Sequence, residues 1–321
     1  MSPERHWVSA GRAIGLLLGV AADGVIGDPQ RAQSAAVFAQ IAKALDAKMR
    51  SENPVVGALR AGGLAGGVVV IGVLAERAGR RSPVTQAVTT AVTTWAVLGG
   101  ERLAANGTQL ARDLEEGKLD TARVSLGQLD PRVADGLNVV ALSRASIETL
   151  AQNTSDVVVA PLVWGALAGV PGLLGSRLLS ALRGSTRGRP PRYRWFIARL
   201  DDVIHLVPTR IAAALTVVGA PVVGGSAGGA WRAWRRDANA HPSPNAGRVE
   251  AAFAGALEIR LGGRTVYPHG TEELPVLGDG RNPDAGHVTR AVELSRVVGW
   301  LAGLLSFVLA ALMGLRRRRA R

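Results

Sequence analysis

The sequence predicts an all-α integral membrane protein, a bundle of four to six membrane-embedded helices with polar helical and loop segments at its cytoplasmic face. Three observations lead there. Val297–Leu315 is a 19-residue run without a charge, followed by Arg-Arg-Arg-Arg-Ala-Arg. Such a run is long enough to cross a bilayer, and a basic flank suits its end. Ile211–Ala230 is 20 uncharged residues closed by Trp231-Arg232-Ala233-Trp234-Arg235-Arg236, an aromatic belt with a basic border. The chain as a whole is 47% hydrophobic yet carries a formal net charge of +13 over 321 residues. Arginine supplies nearly all of that excess, since the only lysines are Lys43, Lys48 and Lys118. Residues 1–321 are read as one polytopic membrane domain, in which 101–156 and 231–296 are polar segments carrying the site motifs.

Taken in order, Ala13–Ile26 is apolar but short, and spans if extended back to Trp7. Asp23 and Asp28 interrupt it and no small-x-small site follows, so a cleaved signal peptide is not expected. Gly27-Asp28-Pro29-Gln30-Arg31 is a polar turn. Residues 32–50 place Phe38, Ile41, Leu45 and Met49 on one face, as a surface or interfacial helix does. Ala61–Ala75 is charge-free, and its overlapping Gly62/Gly66 and Gly63/Gly67 pairs predict close helix approach in lipid. Glu76–Arg81 makes a basic turn, and Val84–Gly100 returns as the second helix of a hairpin, with Thr85, Thr89, Thr90, Thr93 and Thr94 placed to bond across helices. Residues 101–155 read as hydrophilic helices with a turn at Asp130-Pro131. Val157–Leu182 is apolar but broken by Pro161, Pro171 and several glycines. Residues 183–199 read as a basic loop, which marks the cytoplasmic side. A full span at 297–315 puts the basic tail and the 231–296 region on opposite sides, so at least one apolar run is re-entrant or interfacial, or the charge rule fails here.

The polar motifs carry the chemistry. Arg144, Glu148 and Gln152 fall one turn apart on a helical stripe that ends at Asn153, Thr154 and Asp156; an ordinary ion-paired helix with a cap has the same pattern. Asp201 and Asp202 stand between Arg199 and Arg210, a set that suits Mg²⁺ and phosphate. His241-Pro242-Ser243-Pro244-Asn245 is a rigid turn before a helix that begins near Val249, with Glu250 in its first turn. Gly278 and Gly280 flank Asp279 and precede Arg281, allowing close backbone approach to a ligand; an ordinary Asp-Gly turn reads the same way. No cysteine is present, which excludes disulfides and thiolate metal sites. There is no GxxxxGK[ST], GxSxG or HExxH, so a P-loop nucleotidase, a Ser hydrolase of that elbow type and a zincin are excluded. The +13 charge also suits a nucleic-acid binder, but Tyr193, Trp195 and Phe196 in one short loop are too little for that, and no nucleic-acid partner is expected. A transporter is a further reading, with Asp23 and Arg177 lining a path, yet the polar motifs fall mostly outside the apolar runs.

Over nearly its whole length the sequence resembles the adenosylcobinamide-phosphate synthases of cobalamin biosynthesis, the CobD/CbiB family of integral membrane proteins. The resemblance rests on Gly27-Asp28-Pro29; on Arg144, Glu148, Asn153-Thr154, Asp156 and Pro161-Leu162; on Ala198-Arg199-Leu200-Asp201-Asp202, Pro208 and Arg210; on His241-Pro242-Ser243-Pro244-Asn245-Ala246-Gly247 with Glu250-Ala251 and Ala254-Gly255-Ala256-Leu257; on Arg260-Leu261-Gly262-Gly263; and on Leu277-Gly278-Asp279-Gly280-Arg281 with Pro283. It implies ATP-dependent amide formation between adenosylcobyric acid and (R)-1-amino-2-propanol or its O-phosphate, in the cell membrane with the site facing the cytoplasm. ATP and Mg²⁺ are then cosubstrates, with no bound prosthetic group. Other late cobalamin-pathway enzymes are possible partners.

The roles that follow are expectations. Asp156, Asp201, Asp202 and Asp279 hold Mg²⁺, while Arg144, Arg199, Arg210 and Arg281 hold phosphates. His241 or Glu250 accepts the amine proton, with Asp201 and Asp202 also catalytic. Glu148, Asn153, Ser243 and Asn245 contact substrate, and His241, Ser243 and Asn245 form one wall of the pocket. The chain departs from the family's pattern where a His-Pro usually follows the first motif (here Arg31-Ala32-Gln33-Ser34). It departs again where Ser176–Gly184 replaces an Asn-Thr-Leu-Asp segment, and where His205 replaces an Asn. These changes leave an alternative open: a relative without catalysis that acts as a membrane scaffold.

Overall fold

A computed structural model of the protein describes residues 4–27, 40–41, 44, 54–130, 132–186, 191–267 and 270–319. The expected turn at Asp28-Pro29, most of the interfacial helix at 32–50, the departing stretch at 31–34 and the side chains of the basic tail lie outside the described residues. The fold is helical, as predicted, and three described helices contain segments long and apolar enough to cross a membrane: Val8–Ile26, Ile197–Val223 and Ala285–Gly314. This is a helical membrane protein. Its chain divides into two compact units.

The first unit comprises Met1–Gly99, Val157–Asp201 and Ala302–Arg321. Its core is a helix pair, α1 (Glu4–Ile26) against α3 (Pro83–Val97), and the hairpin partner of α3 is α2 (Pro54–Gly79). The close approach falls on a different glycine stripe from the one expected. A Cβ on Gly15 would stand 2.6 Å from Ala87 O, and one on Gly19 would stand 2.4 Å from Thr94 Cβ. Gly11, Gly15 and Gly19 thus let α1 lie directly on α3. Among the described residues nothing lies within 4 Å of a Cβ on Gly63, Gly66 or Gly67 of α2.

The threonines of α3 also differ from expectation. Thr85 and Ser82 cap the helix reciprocally, and Thr93 bonds Thr89 O within it, as such hydroxyls do. Thr90 and Thr94 are buried against the α1 glycines. Glu76 ties four helices: it accepts from Arg12 Nη2 at 2.6 Å, from Gln86 Nε2 at 3.3 Å and from Val170 N at 3.0 Å. The last bond caps α8 (Val170–Thr186), which follows α7 (Ala160–Ala168) after a break at Gly169, φ 74°. The apolar stretch is therefore broken as expected. Within 183–199, the described residues 183–186 and 191–199 are helical, where a basic loop was expected. Helix α8 continues to Thr186, and α9 (Pro191–Gly219) begins at a proline that suits the first turn.

The second unit comprises Gly100–Asp156 and Asp202–Leu301. Helices α4 (Gly100–Glu115), α5 (Leu119–Leu129) and α6 (Val139–Asn153) account for the first polar segment. Helix α6 ends in a π-turn at Thr154–Val159. Pro161 has no N–H for Val157 O and its ring crowds that carbonyl, so the helix widens just before it. The expected span 211–230 is interrupted. Pro221, Gly224 at φ 67° and the Ser226 N-cap end α9 and start α10 (Ala227–Asp237). Helix α10 crosses α11 (Ala246–Leu257) where a Cβ on Gly255 would stand 2.2 Å from Gly229 O. One element was not foreseen in an all-α reading: β1 (Leu261–Tyr267) pairs antiparallel with β2 (Gly270–Leu277). Helix α12 (Ala285–Arg319) begins at an Asp284 N-cap and runs 35 residues.

Candidate functional site

The second unit holds a buried polar cluster built on the α6 stripe. Arg144, Glu148 and Gln152 do share a face, and each reaches a different element. Arg144 Nη2 donates to Arg264 O at 2.9 Å and pins β1. Glu148 Oε1 accepts from Gly262 N at 2.7 Å, and its other oxygen accepts from Arg132 Nη1 at 2.7 Å. Gln152 Nε2 donates to Glu250 Oε1 at 2.5 Å. Arg132 also holds Asp130, through Nη2 to Oδ2 at 3.0 Å, and Thr149 Oγ1 donates to the same Oδ2 at 2.8 Å. The Arg132, Asp130 and Glu148 side chains are 5%, 8% and 1% exposed, so this is a dry triad of one cation and two anions.

Glu250 is buried next to that triad. Burial, and then repulsion from Glu148, push the Glu250 carboxyl up to about 8. It therefore titrates near neutral pH, with both the acid and the carboxylate accessible. Burial also works against the charge of Asp130, but Arg132 outweighs it, so Asp130 stays below the usual carboxylate range. Burial pushes the Tyr267 phenol up to about 12.

The rigid turn before α11 presents His241 to Glu250. His241 Nε2 lies 3.8 Å from Glu250 Oε2. Ser243 N–H donates to His241 Nδ1 at 3.0 Å, so the ring proton sits on Nε2 and faces the carboxyl. Burial holds the imidazole below its ordinary pKa, and it is neutral. The turn seats tightly because residue 247 is glycine; a Cβ there would stand 2.4 Å from His241 Cβ. Ser243 and Asn245 have internal work. Ser243 Oγ accepts from Ala246 N at 3.1 Å, at the start of α11. Asn245 is buried; its Nδ2 donates to Asp202 O at 2.9 Å and its Oδ1 accepts from Thr209 Oγ1 at 3.2 Å. They hold His241 in place by clamping the turn to α9.

Three predicted residues therefore meet here, Glu148, His241 and Glu250, with Arg144, Ser243 and Asn245 on the same stripe and turn. The remaining ones are placed as follows. Asp201 is 1% exposed and paired with Arg183 at 2.7 Å in the first unit. Asp202 follows it on the same helix, where successive side chains project in different directions and cannot chelate as a pair. Asp279 pairs with Arg236 at 2.8 Å. Asp156 lies in the π-turn and Asn153 ends α6. Arg199 is exposed on α9, and Arg210 lies further along that helix. Arg281 Nε donates to His287 Nε2 at 3.2 Å, and His287 Nδ1 lies 2.6 Å from Asp284 Oδ1. Gly280 is required there, since a Cβ would stand 1.8 Å from Glu258 O. Among the described residues no group of three or more His, Cys, Asp or Glu is placed to hold a metal ion.

Asp130, Arg132 and Thr149 were missed by sequence reasoning. Asp130-Pro131-Arg132 reads as a turn, and only the fold turns it under α6. The hairpin could have been found: the burial of Thr265 between exposed Arg264 and Val266 is a strand alternation, closed by Gly270.

Comparison with known proteins decides the family. The model of the CobD/Cbib protein family matches residues 16–295. The chain belongs to the CobD/CbiB family. The cobalamin biosynthesis protein CobD of Mycobacterium tuberculosis is 47% identical over 302 residues, covering 93% of this chain and 96% of that protein. The CobD protein of Chromobacterium violaceum is 33% identical over 310 residues, covering 94% and 98%, and that of Geobacter metallireducens is 35% identical over 235 residues, covering 72% and 74%. No solved structure matches. The matched range takes in all of the Asp130–Arg132–Glu148–Glu250–His241 cluster and the first turns of α12.

Proposed function

We propose that the chain acts in cobalamin biosynthesis as an ATP-dependent amide ligase at the cytoplasmic face of the cell membrane. It joins a carboxyl of adenosylcobyric acid to (R)-1-amino-2-propanol or its O-phosphate, giving adenosylcobinamide or its phosphate. A carboxylate does not condense with an amine in water, so one of its oxygens first takes the γ-phosphoryl group of MgATP and releases ADP. The amine nitrogen then attacks the acyl carbon, the C–O bond to phosphate breaks, and one N–H proton must leave. The observation that carries the reading is Glu250, a buried carboxyl with a pKa of about 8 beside the neutral His241. A base matched to working pH is the most effective proton acceptor. Of the two expected acceptors the geometry favours Glu250, because His241 Nδ1 already accepts from Ser243. His241 Nε2–H then orients the carboxylate that forms.

The test is the purified full-length chain with ATP, adenosylcobyric acid and either aminoalcohol form. ADP release only when both cosubstrates are present, with the amide detected by mass spectrometry, is the expected result. One observation favours the scaffold alternative. Arg183, inside the stretch that departs from the family's pattern, neutralises Asp201. A well-folded preparation that forms no amide, and does not rescue a synthase-deficient producer grown on cobyric acid, would favour that alternative.

A further inference from the structure

In the sequence Gln152 is only the third member of a helical stripe; in the fold it reaches Glu250. Its Nε2 donates to Glu250 Oε1 at 2.5 Å, while Glu250 Oε2 lies 3.8 Å from His241 Nε2, wider than a hydrogen bond. Among the described residues Oε1 is thus hydrogen-bonded and Oε2 is not. The His241 and Glu250 side chains across that gap are 8% and 2% exposed. An amide nitrogen only donates. Oε1 therefore stays an acceptor whether Glu250 is charged or neutral, and the proton of the acid goes on and off at Oε2. The end of α6 that carries Gln152 is itself fixed. Thr154, the first residue of the π-turn, donates to Leu150 O at 2.6 Å, and its Oγ1 lies 2.6 Å from Ser295 Oγ of α12. The charged groups around Glu250 act on one form or the other. Glu148 and Asp130 favour the neutral acid, as burial does, and Arg132 favours the carboxylate. Of the hairpin's groups, Glu272 acts on the neutral His241, and Tyr267 lies in the field of Arg132, Asp130 and Glu148. Helix α10 meets α11 at Gly255 through Gly229 and Ala233, which carry no charge. The amide of Gln152 sides with Arg132, because a donor binds a carboxylate more strongly than a neutral acid.

We propose that Gln152 is a positioning residue: it anchors Oε1 of Glu250 and leaves Oε2, the oxygen beside His241 Nε2, as the atom that exchanges protons. The anchor itself rests on geometry; the part Oε2 plays in catalysis rests on the ligase reading. Under that reading the amine nitrogen approaches Oε2. Its N–H bond breaks, the electron pair stays on nitrogen, and the proton bonds to Oε2. Gln152 acts through Glu250, by fixing its orientation and by supporting its charge. Without the Gln152 donor the carboxylate loses that support, and Glu250 keeps its proton to higher pH. Had the neutral acid donated to a Gln152 carbonyl instead, loss of Gln152 would have the opposite effect.

The experiment follows the carboxyl directly, in the full chain in detergent or nanodiscs, by pH-difference infrared spectroscopy. The C=O stretch of protonated Glu250 is the band that Glu250→Gln removes. Gln152→Met keeps the length of the side chain and loses the donor; the titration midpoint of that band should rise by about one pH unit. Gln152→Asn keeps the amide but shortens its reach, and its midpoint should fall between the two. It carries the test if Gln152→Met does not fold, which size exclusion checks. The second readout is the pH profile of amide formation with MgATP, adenosylcobyric acid and the aminoalcohol. The acidic limb of kcat should move up with the infrared midpoint. At pH 7 kcat should fall roughly tenfold with KM little changed, and recover as pH is raised. A purely structural loss would lower kcat at every pH alike. The anchor is overturned if the midpoint stays or falls in both variants. A raised midpoint in a chain whose parent makes no amide leaves the anchor standing and removes the ligase reading. An unmoved midpoint in a chain that makes the amide does the reverse. A raised midpoint with the kcat limb left in place overturns the catalytic part of Oε2.

Discussion

Glu250 is where one residue's chemistry is set by its neighbours' charges. Its folded pKa of about 8 is above the value of 4.5 in the unfolded chain. The folded protein therefore binds more protons than the unfolded one between those two values. This group's contribution to stability is complete below pH 4.5 and is lost as pH rises towards 8. Glu250→Gln imitates the protonated acid. It should remove that slope from a plot of melting temperature against pH, leave stability near pH 7 almost unchanged, and lower kcat on the order of a hundredfold or more. A Glu250→Gln variant with normal kcat and an unaltered pH profile would remove Glu250 from the mechanism. Arg132 is the opposite case. Replacing it with Met strands Asp130 and Glu148 as buried uncompensated charges, which costs about 3–5 kcal/mol. Chemical denaturation in detergent should show that loss, and Arg132→Lys should restore part of it. His241, Ser243 and Asn245 were legible in the sequence as a built turn. That Ser243 and Asn245 serve mainly to hold His241 was not, because hydrogen-bond partners on α9 are set by packing.

At the scale of elements, the helices follow from apolar runs, prolines and caps that can be read directly. Ser82-Pro83 starts α3, Ser226 starts α10, and Gly169 with Pro171 breaks the apolar stretch after α6. Two assignments went astray for physical reasons. The 183–199 region is so basic that it read as a loop, but charge does not prevent a helix, and residues 191–199 form one that Pro191 starts. The Gly62–Gly67 pairs read as a packing face, but the face in contact is the Gly11–Gly15–Gly19 stripe on α1. Both stripes have the same spacing, so only the partner helix distinguishes them. Gly15→Leu should separate α1 from α3 and sharply reduce the yield of folded protein by fluorescence-detected size exclusion. Gly66→Leu should leave it unchanged. Equal losses in the two variants would contradict this packing.

For the whole molecule, three helices with segments long enough to span predict that the chain stays in the membrane pellet after alkaline carbonate; release would contradict integral insertion. The proposed cytoplasmic orientation has a direct readout, because the chain has no cysteine. A single Glu273→Cys on the exposed β2 strand should be shielded from an impermeant maleimide in intact cells and labelled after permeabilisation. Labelling in intact cells would place this unit on the other side.

The sequence by itself determined the class of protein, the positions of its principal helices, the His241 turn and the family. These are properties of local pattern: apolar length against bilayer thickness, capping residues, and a motif order that survives reading in one dimension. Tertiary structure decided which polar residues work together. It brought Arg132 and Asp130 to Glu148 under α6, where burial and then Glu148 raise the pKa of Glu250, and it paired Asp201 with Arg183. Charge state and pairing depend on distance through space and on the exclusion of water, and neither is written in the spacing of residues along the chain.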